Sequence, residues 1–198
     1  MQAVLFLPGA RGSATFWQPV ADRLPKGWAK NCFGWPGLGN EPHDPAVNSI
    51  KDLVRLVEKE MNGPTDLVAQ SMGCVVAARI ALARPEFVRR LVLVAASGGV
   101  DMGRFGASDW RPNYAKRFPS AAKWIVDQRA ATQLPIEKIT RPTLLIWGDC
   151  DPISPVAVGR HFQERIAGAT LHVVEGGDHL LASTEADQVA GLICRHLS

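Results

Sequence analysis

Six short runs of apolar, β-favouring residues recur along the chain, separated by longer stretches whose apolar positions follow a helical period. The runs are Ala3–Leu7, Ala29–Phe33, Thr65–Ala69, Arg90–Ala95, Thr143–Trp147 and Thr170–Val174. Most are continuously apolar rather than alternating, the pattern of strands covered on both faces. Between them the spacing predicts helices over Phe16–Leu24, Ile50–Asn62, Met72–Ala83, Pro155–Ala167 and Glu185–Leu197. Strand and helix in alternation predict an α/β fold, a mostly parallel sheet of about six strands with helices on both faces. Helix starts are marked as well: Ser49 with Asp52, and Thr184 with Asp187, have capping-box spacing. Ser154-Pro155 reads as a cap followed by proline at the first helical position.

The alternation breaks once. Gly98 to Thr140 holds no strand-like run and reads as loop plus one or two helices, the clearest over Ser120–Leu134. Residues 1–97 and 141–198 then form one core, and 98–140 an insertion after the fourth strand. Ligands of open parallel sheets bind outside the carboxyl ends of the strands, so an insertion leaving from that end can lie over the site as a lid.

At 198 residues, 46% hydrophobic and 21% charged, the chain can bury a core as a single domain. Its first apolar run, "VLFL", stops at Pro8-Gly9, far short of a signal or spanning segment. That implies a soluble, cytoplasmic protein with no membrane partner. Cys32, Cys74, Cys150 and Cys194 show neither disulfide-framework nor zinc spacing. A net charge of +3 without a Lys/Arg run argues against nucleic acid as a partner.

The stretch "LVAQSMGCVVAARIALARP" carries the candidate chemistry. Ser71 leaves a strand and opens a helix, where the simplest reading is an N-cap. A cap does not account for the small residues two positions to either side, Ala69 and Gly73. These suit a sharp strand-to-helix elbow, in which bulky neighbours would collide. A serine hydroxyl needs a base, and the base needs a group that holds its tautomer. "IWGDCDPISP" offers Asp149 and Asp151 after the fifth strand, and "VVEGGDHLLAS" offers His179 after the sixth. His43, His161, His172 and His196 share no spacing and read as surface or structural. "GLGN" at Gly37 lacks the third glycine of a dinucleotide loop and opens no helix, so it reads as a loop near the site.

With Ser71, an aspartate and His179 in that order at strand ends, the chain resembles the α/β-hydrolases, in particular the serine-esterase branch with a small lid. The resemblance covers nearly the whole chain. The family's strand-end G-x-x-D pattern maps onto Gly148 through Asp151 and selects Asp151 as the acid, with Asp149 as fallback. The family's His-Gly-x turn maps onto "LPGARGSATFW", with Pro8 in the histidine position and Trp17 in that of the family's tryptophan. It implies an oxyanion hole from the N–H groups of Ala10 and Met72. The first strand here resembles the family's third, so two antiparallel edge strands are expected to be missing. "WPGLGNEP" from Trp35 resembles a loop at the family's substrate site, with Asn40 for its serine.

The implied activity is hydrolysis of a small-molecule carboxylic ester or acyl thioester through an acyl-enzyme, with no cofactor. Candidate substrate-binding residues are Trp35, Trp110 and Trp124. The insertion carries Arg104, Arg111, Lys116, Arg117, Lys123, Arg129 and Lys138 against Asp101, Asp109, Asp127 and Glu137. A solvated face is the simpler reading of that basic excess. The alternative is a docking site for an acidic acyl carrier protein, as resemblance to the pimeloyl-carrier-protein methyl esterases implies. Two further functions stay open at this point: a C–C bond hydrolase or lyase using the same triad, and a non-catalytic ligand receptor on the same fold.

Overall fold

A computed structural model describes residues 1–127 and 133–198. Among these, six strands, β1 (Ala3–Leu7), β2 (Ala29–Cys32), β3 (Thr65–Gln70), β4 (Val88–Val94), β5 (Thr143–Gly148) and β6 (Thr170–Val174), form one sheet in the order β2-β1-β3-β4-β5-β6. All neighbours are parallel. β1 is held on both sides, Leu5 lying opposite Asn31 of β2 and Leu67 of β3. The chain runs outward from β1 to β2, then crosses back to β3. The carboxyl ends of β1 and β3 therefore flank the point where strand order reverses, which is where such sheets bind ligands.

The central strands are apolar throughout because both faces are covered. Leu5, Leu7, Leu67, Ala69, Leu91 and Leu93 meet the layer made by α2 (Ile50–Lys59), α3 (Gly73–Ala83) and α6 (Val156–Arg165). Val4, Phe6, Val68, Val92 and Val94 meet the layer of α1 (Gln18–Ala21) and α8 (Ala186–Leu197). Each such leucine, valine or phenylalanine side chain contributes about 1.5–3 kcal/mol on burial. The outermost runs differ from the rest: β2 and β6 are edge strands with alternating or largely exposed positions. On β2 the Lys30 ammonium donates to the carbonyls of Ala21 and Leu24 and so charges that edge.

The capping expectations divide. Ser49 caps α2, its Oγ accepting from Asp52 N at 3.3 Å, while the Asp52 carboxylate accepts from Asn48 N and Ser49 Oγ. Thr184 does not cap α8. It ends a separate turn, α7 (Leu181–Thr184), Glu185 takes the cap position without a side-chain bond, and Asp187 pairs instead with Arg23 at 2.5 Å. Ser154 does not cap α6 either: Pro155 holds that position, and the buried Ser154 hydroxyl is tied to the strands.

Between β4 and β5 the chain forms a 3₁₀ turn (Met102–Phe105), α4 (Arg111–Arg117), α5 (Trp124–Asp127) and a second 3₁₀ turn (Ile136–Lys138). Of the helix predicted over Ser120–Leu134, only Trp124–Asp127 is helical among the described residues. Residues 128–132, Arg129 among them, lie outside those described. Tyr114, Ile125, Ile136 and Ile139 pack into the α3-side layer and anchor the segment there. No helix among the described residues is long and apolar enough to cross a membrane.

Candidate active site

The turn from β3 into α3 holds Ser71 at φ +54°, a left-handed conformation that a non-glycine residue rarely adopts. Close packing of chain segments enforces it. A Cβ on Gly73 would stand 2.5 Å from the Pro8 carbonyl oxygen and 2.6 Å from that of Leu7, so only glycine lets α3 start against the end of β1. Likewise a Cβ on Gly9 would meet Gln70 Oε1 at 2.5 Å and Ser71 Cβ at 2.9 Å. Ser71 N donates to Val94 O at 2.9 Å, completing the elbow. Beneath it, burial pushes the Cys74 thiol well above its ordinary pKa, and its Sγ lies 3.3 Å from Ala69 O.

Ser71 is not the cap of α3; Met72 holds that position, without a side-chain bond. The Ser71 hydroxyl instead lies 2.8 Å from His179 Nε2, and His179 Nδ1 lies 2.7 Å from Asp151 Oδ2. An ionised carboxylate only accepts, so Nδ1 carries the ring proton in the neutral imidazole and Nε2 offers its lone pair to the Ser71 O–H. The Asp151 side chain is fully buried, and its other oxygen accepts from Ile153 N at 2.8 Å and Ser154 N at 3.0 Å. All three residues leave carboxyl ends of strands, as their sequence positions imply. Asp149, two residues earlier, spends its carboxylate on Gly176 N at 2.7 Å and does not reach the histidine in this arrangement.

Two supporting groups, Gln70 and Ser154, carry no sequence signal for the role they play here. Gln70 Nε2 donates to the His179 carbonyl at 2.9 Å, fixing the histidine loop to the strand that bears Ser71. Ser154 Oγ donates to Ala96 O at 2.6 Å and accepts from Trp147 Nε1 at 3.0 Å, which pins the aspartate loop. Gln70 and Ser154 are polar and buried, yet burial is invisible in a one-dimensional pattern. The N–H groups of Ala10 and Met72 flank the serine from the β1 loop and the helix start, and neither has an acceptor among the described residues. Next to Ala10, burial and the nearby Arg117 push the Arg11 guanidinium below its ordinary pKa, while Asp178 opposes them.

A cleft of about 1080 Å³ opens between α3 and the segment after β4, lined by Met72, Val75, Val100, Trp110, Ile125 and Ile153 among others. Trp110, singled out from sequence, lines it. Trp124 lies outside that lining and packs against the core, its Nε1 buried and without a hydrogen-bond partner among the described residues. Trp35 corrects the expectation outright: it is fully buried, donates Nε1 to Pro8 O at 2.6 Å, and supports the β1 loop from below. The "GLGN" loop holds the insertion, with Gly39 N donating to Tyr114 Oη at 2.8 Å and Ala122 N to Gly37 O at 2.7 Å. Of the basic residues in the insertion, Arg104, Lys116, Arg117, Lys123 and Lys138 are exposed. Arg111 pairs with Asp109 at 3.0 Å. Among the described residues no three His, Cys, Asp or Glu side chains gather as a metal would need.

A family model described as the alpha/beta hydrolase family matches residues 4–136. A pimeloyl-[acyl-carrier protein] methyl ester esterase of Neisseria meningitidis serogroup A is 24% identical over 97% of this chain and 75% of its own length. The serine hydrolase BPHL of Mus musculus is 24% identical over 96% of this chain and 77% of its own. Among solved structures, a hydrolase from Pseudomonas aeruginosa PA01 superposes with a TM-score of 0.80 at 17% identity, covering all of this chain and 90% of the other.

Proposed function

Because this chain belongs to the alpha/beta hydrolase family, we propose that it hydrolyses a carboxylic ester or thioester through an acyl-enzyme intermediate. Ser71 is the nucleophile, His179 the base and Asp151 the group that orients the imidazole. The observation that carries this reading is the pair of hydrogen bonds from Ser71 through His179 to Asp151, at 2.8 and 2.7 Å, on a serine held at φ +54°.

Chemistry follows from the geometry. His179 Nε2 takes the hydroxyl proton as Ser71 Oγ bonds to the ester carbonyl carbon, and the Asp151 carboxylate stabilises the imidazolium that forms. The carbonyl oxygen gathers negative charge between the Ala10 and Met72 N–H groups; losing one such donor costs about 3–4 kcal/mol of barrier in comparable sites. Collapse expels the alcohol or thiol, which leaves with the proton from His179. Water then attacks the acyl-serine with His179 again as base, releasing the acid and restoring the serine. Every group needed is a side chain or backbone amide of this chain, so the reaction calls for no cofactor.

In this reading residues 98–140 are a lid over the core of residues 1–97 and 141–198, and the cleft beneath them takes the acyl or alcohol part of a small-molecule substrate. The relatives named as esterases support an ester as the substrate. Their carrier-protein substrate gives the exposed Arg104, Lys116, Arg117 and Lys123 a role as a docking face for an acidic acyl carrier protein.

A fluorophosphonate probe with intact-mass readout tests the central claim. One stoichiometric adduct is expected on the wild type, mapping to Ser71 and absent from Ser71→Ala and His179→Ala. A folded wild type that takes up no probe would overturn the nucleophile assignment and bring the ligand-receptor reading forward.

A further inference from the structure

In the apolar helix α3, "GCVVAARIALA", one residue is out of character. Arg79 stands seven positions after Met72 and four after Val75, on the same helical stripe, and all three line the cleft. Its Nε is buried and has no hydrogen-bond partner among the described residues. An unsatisfied buried donor costs about 1–3 kcal/mol, and an alanine or leucine here would continue the helix without that cost. The acidic residues that line the cleft form no ion pair with Arg79 among the described residues. Of the acidic residues lining the cleft, Asp109 accepts from Arg111 at 3.0 Å and Asp101 from Gly103 N at 3.1 Å, and both are exposed. Lys51 at the start of α2 adds a second positive charge to the same wall.

Along the axis of α3, Arg79 lies about 10 Å beyond Met72, at 1.5 Å per residue. The cleft wall thus runs from Met72, the residue after Ser71, to the Arg79 guanidinium, with Val75, Val100 and Ile125 lining the space. A guanidinium in that setting is matched by a carboxylate or a phosphate, which accept two parallel N–H bonds.

We propose that Arg79, with Lys51, forms an anion subsite at the far end of the cleft, so that the preferred substrate is an ester of medium length bearing an anionic group distal to the scissile carbonyl. The inference rests on the esterase reading for its orientation, but the subsite itself can be tested without turnover. Arg79 is a specificity-determining residue in this scheme and takes no part in bond breaking.

Two p-nitrophenyl esters with acyl groups of equal length provide the kinetic test, the octanoate and the hydrogen suberate, which differ in a terminal carboxylate. Wild type is expected to favour the suberate ester in kcat/KM. That preference should fall about tenfold or more in Arg79→Gln, chiefly through KM, and be partly retained in Arg79→Lys. An unchanged preference in a folded Arg79→Gln protein would overturn the proposal. Calorimetric titration of the full chain with free suberate and with inorganic phosphate runs beside it. Binding of either anion that is lost in Arg79→Gln supports the subsite and identifies whether carboxylate or phosphate is favoured; binding of neither rejects it. If suberate binds through Arg79 while neither ester is turned over, the esterase reading fails and the anion subsite stands.

Discussion

A Cβ on Gly148 would stand 2.1 Å from the carbonyl oxygen of Gly177, so the loops that carry Asp151 and His179 touch backbone to backbone. Cys150 N donates to that same carbonyl at 2.9 Å, and Asp149 closes the contact from the other side through Gly176 N. The spacing between aspartate and histidine is therefore set by main chain, which cannot swing aside as a long side chain can. Gly148→Ala should destabilise the protein by about 1–3 kcal/mol. Displacement of the aspartate loop should also lower the rate of fluorophosphonate labelling, on the order of tenfold to a hundredfold. Denaturant midpoints and labelling rates check the two effects separately.

Asp151 and Asp149 sit two residues apart and differ sharply in what their carboxylates touch. Asp151→Asn replaces an acceptor by an amide that does not hold the Nδ1–H tautomer, and should lower kcat on the order of 10³- to 10⁴-fold while the fold is kept. Asp149→Asn should lower kcat less than tenfold, since it weakens one exposed loop bond whose neutral equivalent an amide oxygen can still make. Comparable losses in the two variants, measured by steady-state kinetics on one ester, would contradict the assignment of Asp151.

Strain at Ser71 predicts that glycine is tolerated there better than alanine. At φ +54° alanine retains the steric cost of the left-handed region and glycine does not. Both Ser71→Gly and Ser71→Ala should be inactive, with Ser71→Gly the more stable of the two by about 1 kcal/mol. Thermal unfolding of the pair gives the difference directly. Equal midpoints would mean that the elbow relaxes once the hydroxyl is gone.

On the opposite side of the molecule, His196 is half-buried near Arg90, and burial, followed by that positive neighbour, lowers its pKa below the ordinary 6.5. The folded state then binds this proton less readily than the unfolded chain. Stability linked to His196 is present above the unfolded-state value and is lost as pH falls through it toward the lower folded-state value. Unfolding midpoints of wild type should therefore drop between neutral and mildly acidic pH by more than those of His196→Gln. A parallel fall in the two proteins would assign the acid sensitivity to other groups.

Much of this architecture is legible from the order of residues alone, because each such feature depends on close neighbours in the chain. A continuous apolar run bounded by turn residues is a strand covered on both faces, and β1, β3, β4 and β5 lie where those runs are. Small residues on either side of a serine between strand and helix signal the elbow, although the backbone that excludes a side chain at Gly73 is that of Leu7 and Pro8 at the end of β1, which only folding brings there. Resemblance to a family, rather than pattern, selected Asp151 over Asp149. Tertiary structure decided what depends on partners distant in sequence. Ser154 follows a helix-start pattern, yet its hydroxyl is claimed by Trp147 and Ala96 once the strands assemble. Trp35 sits in a loop that resembles a substrate loop, yet it is buried beneath Pro8. Arg79 is hidden within an apolar helix until packing puts its stripe along the cleft. Local sterics are written in the chain, whereas the fate of a polar side chain is settled by whichever donor or acceptor folding brings within about 3 Å of it.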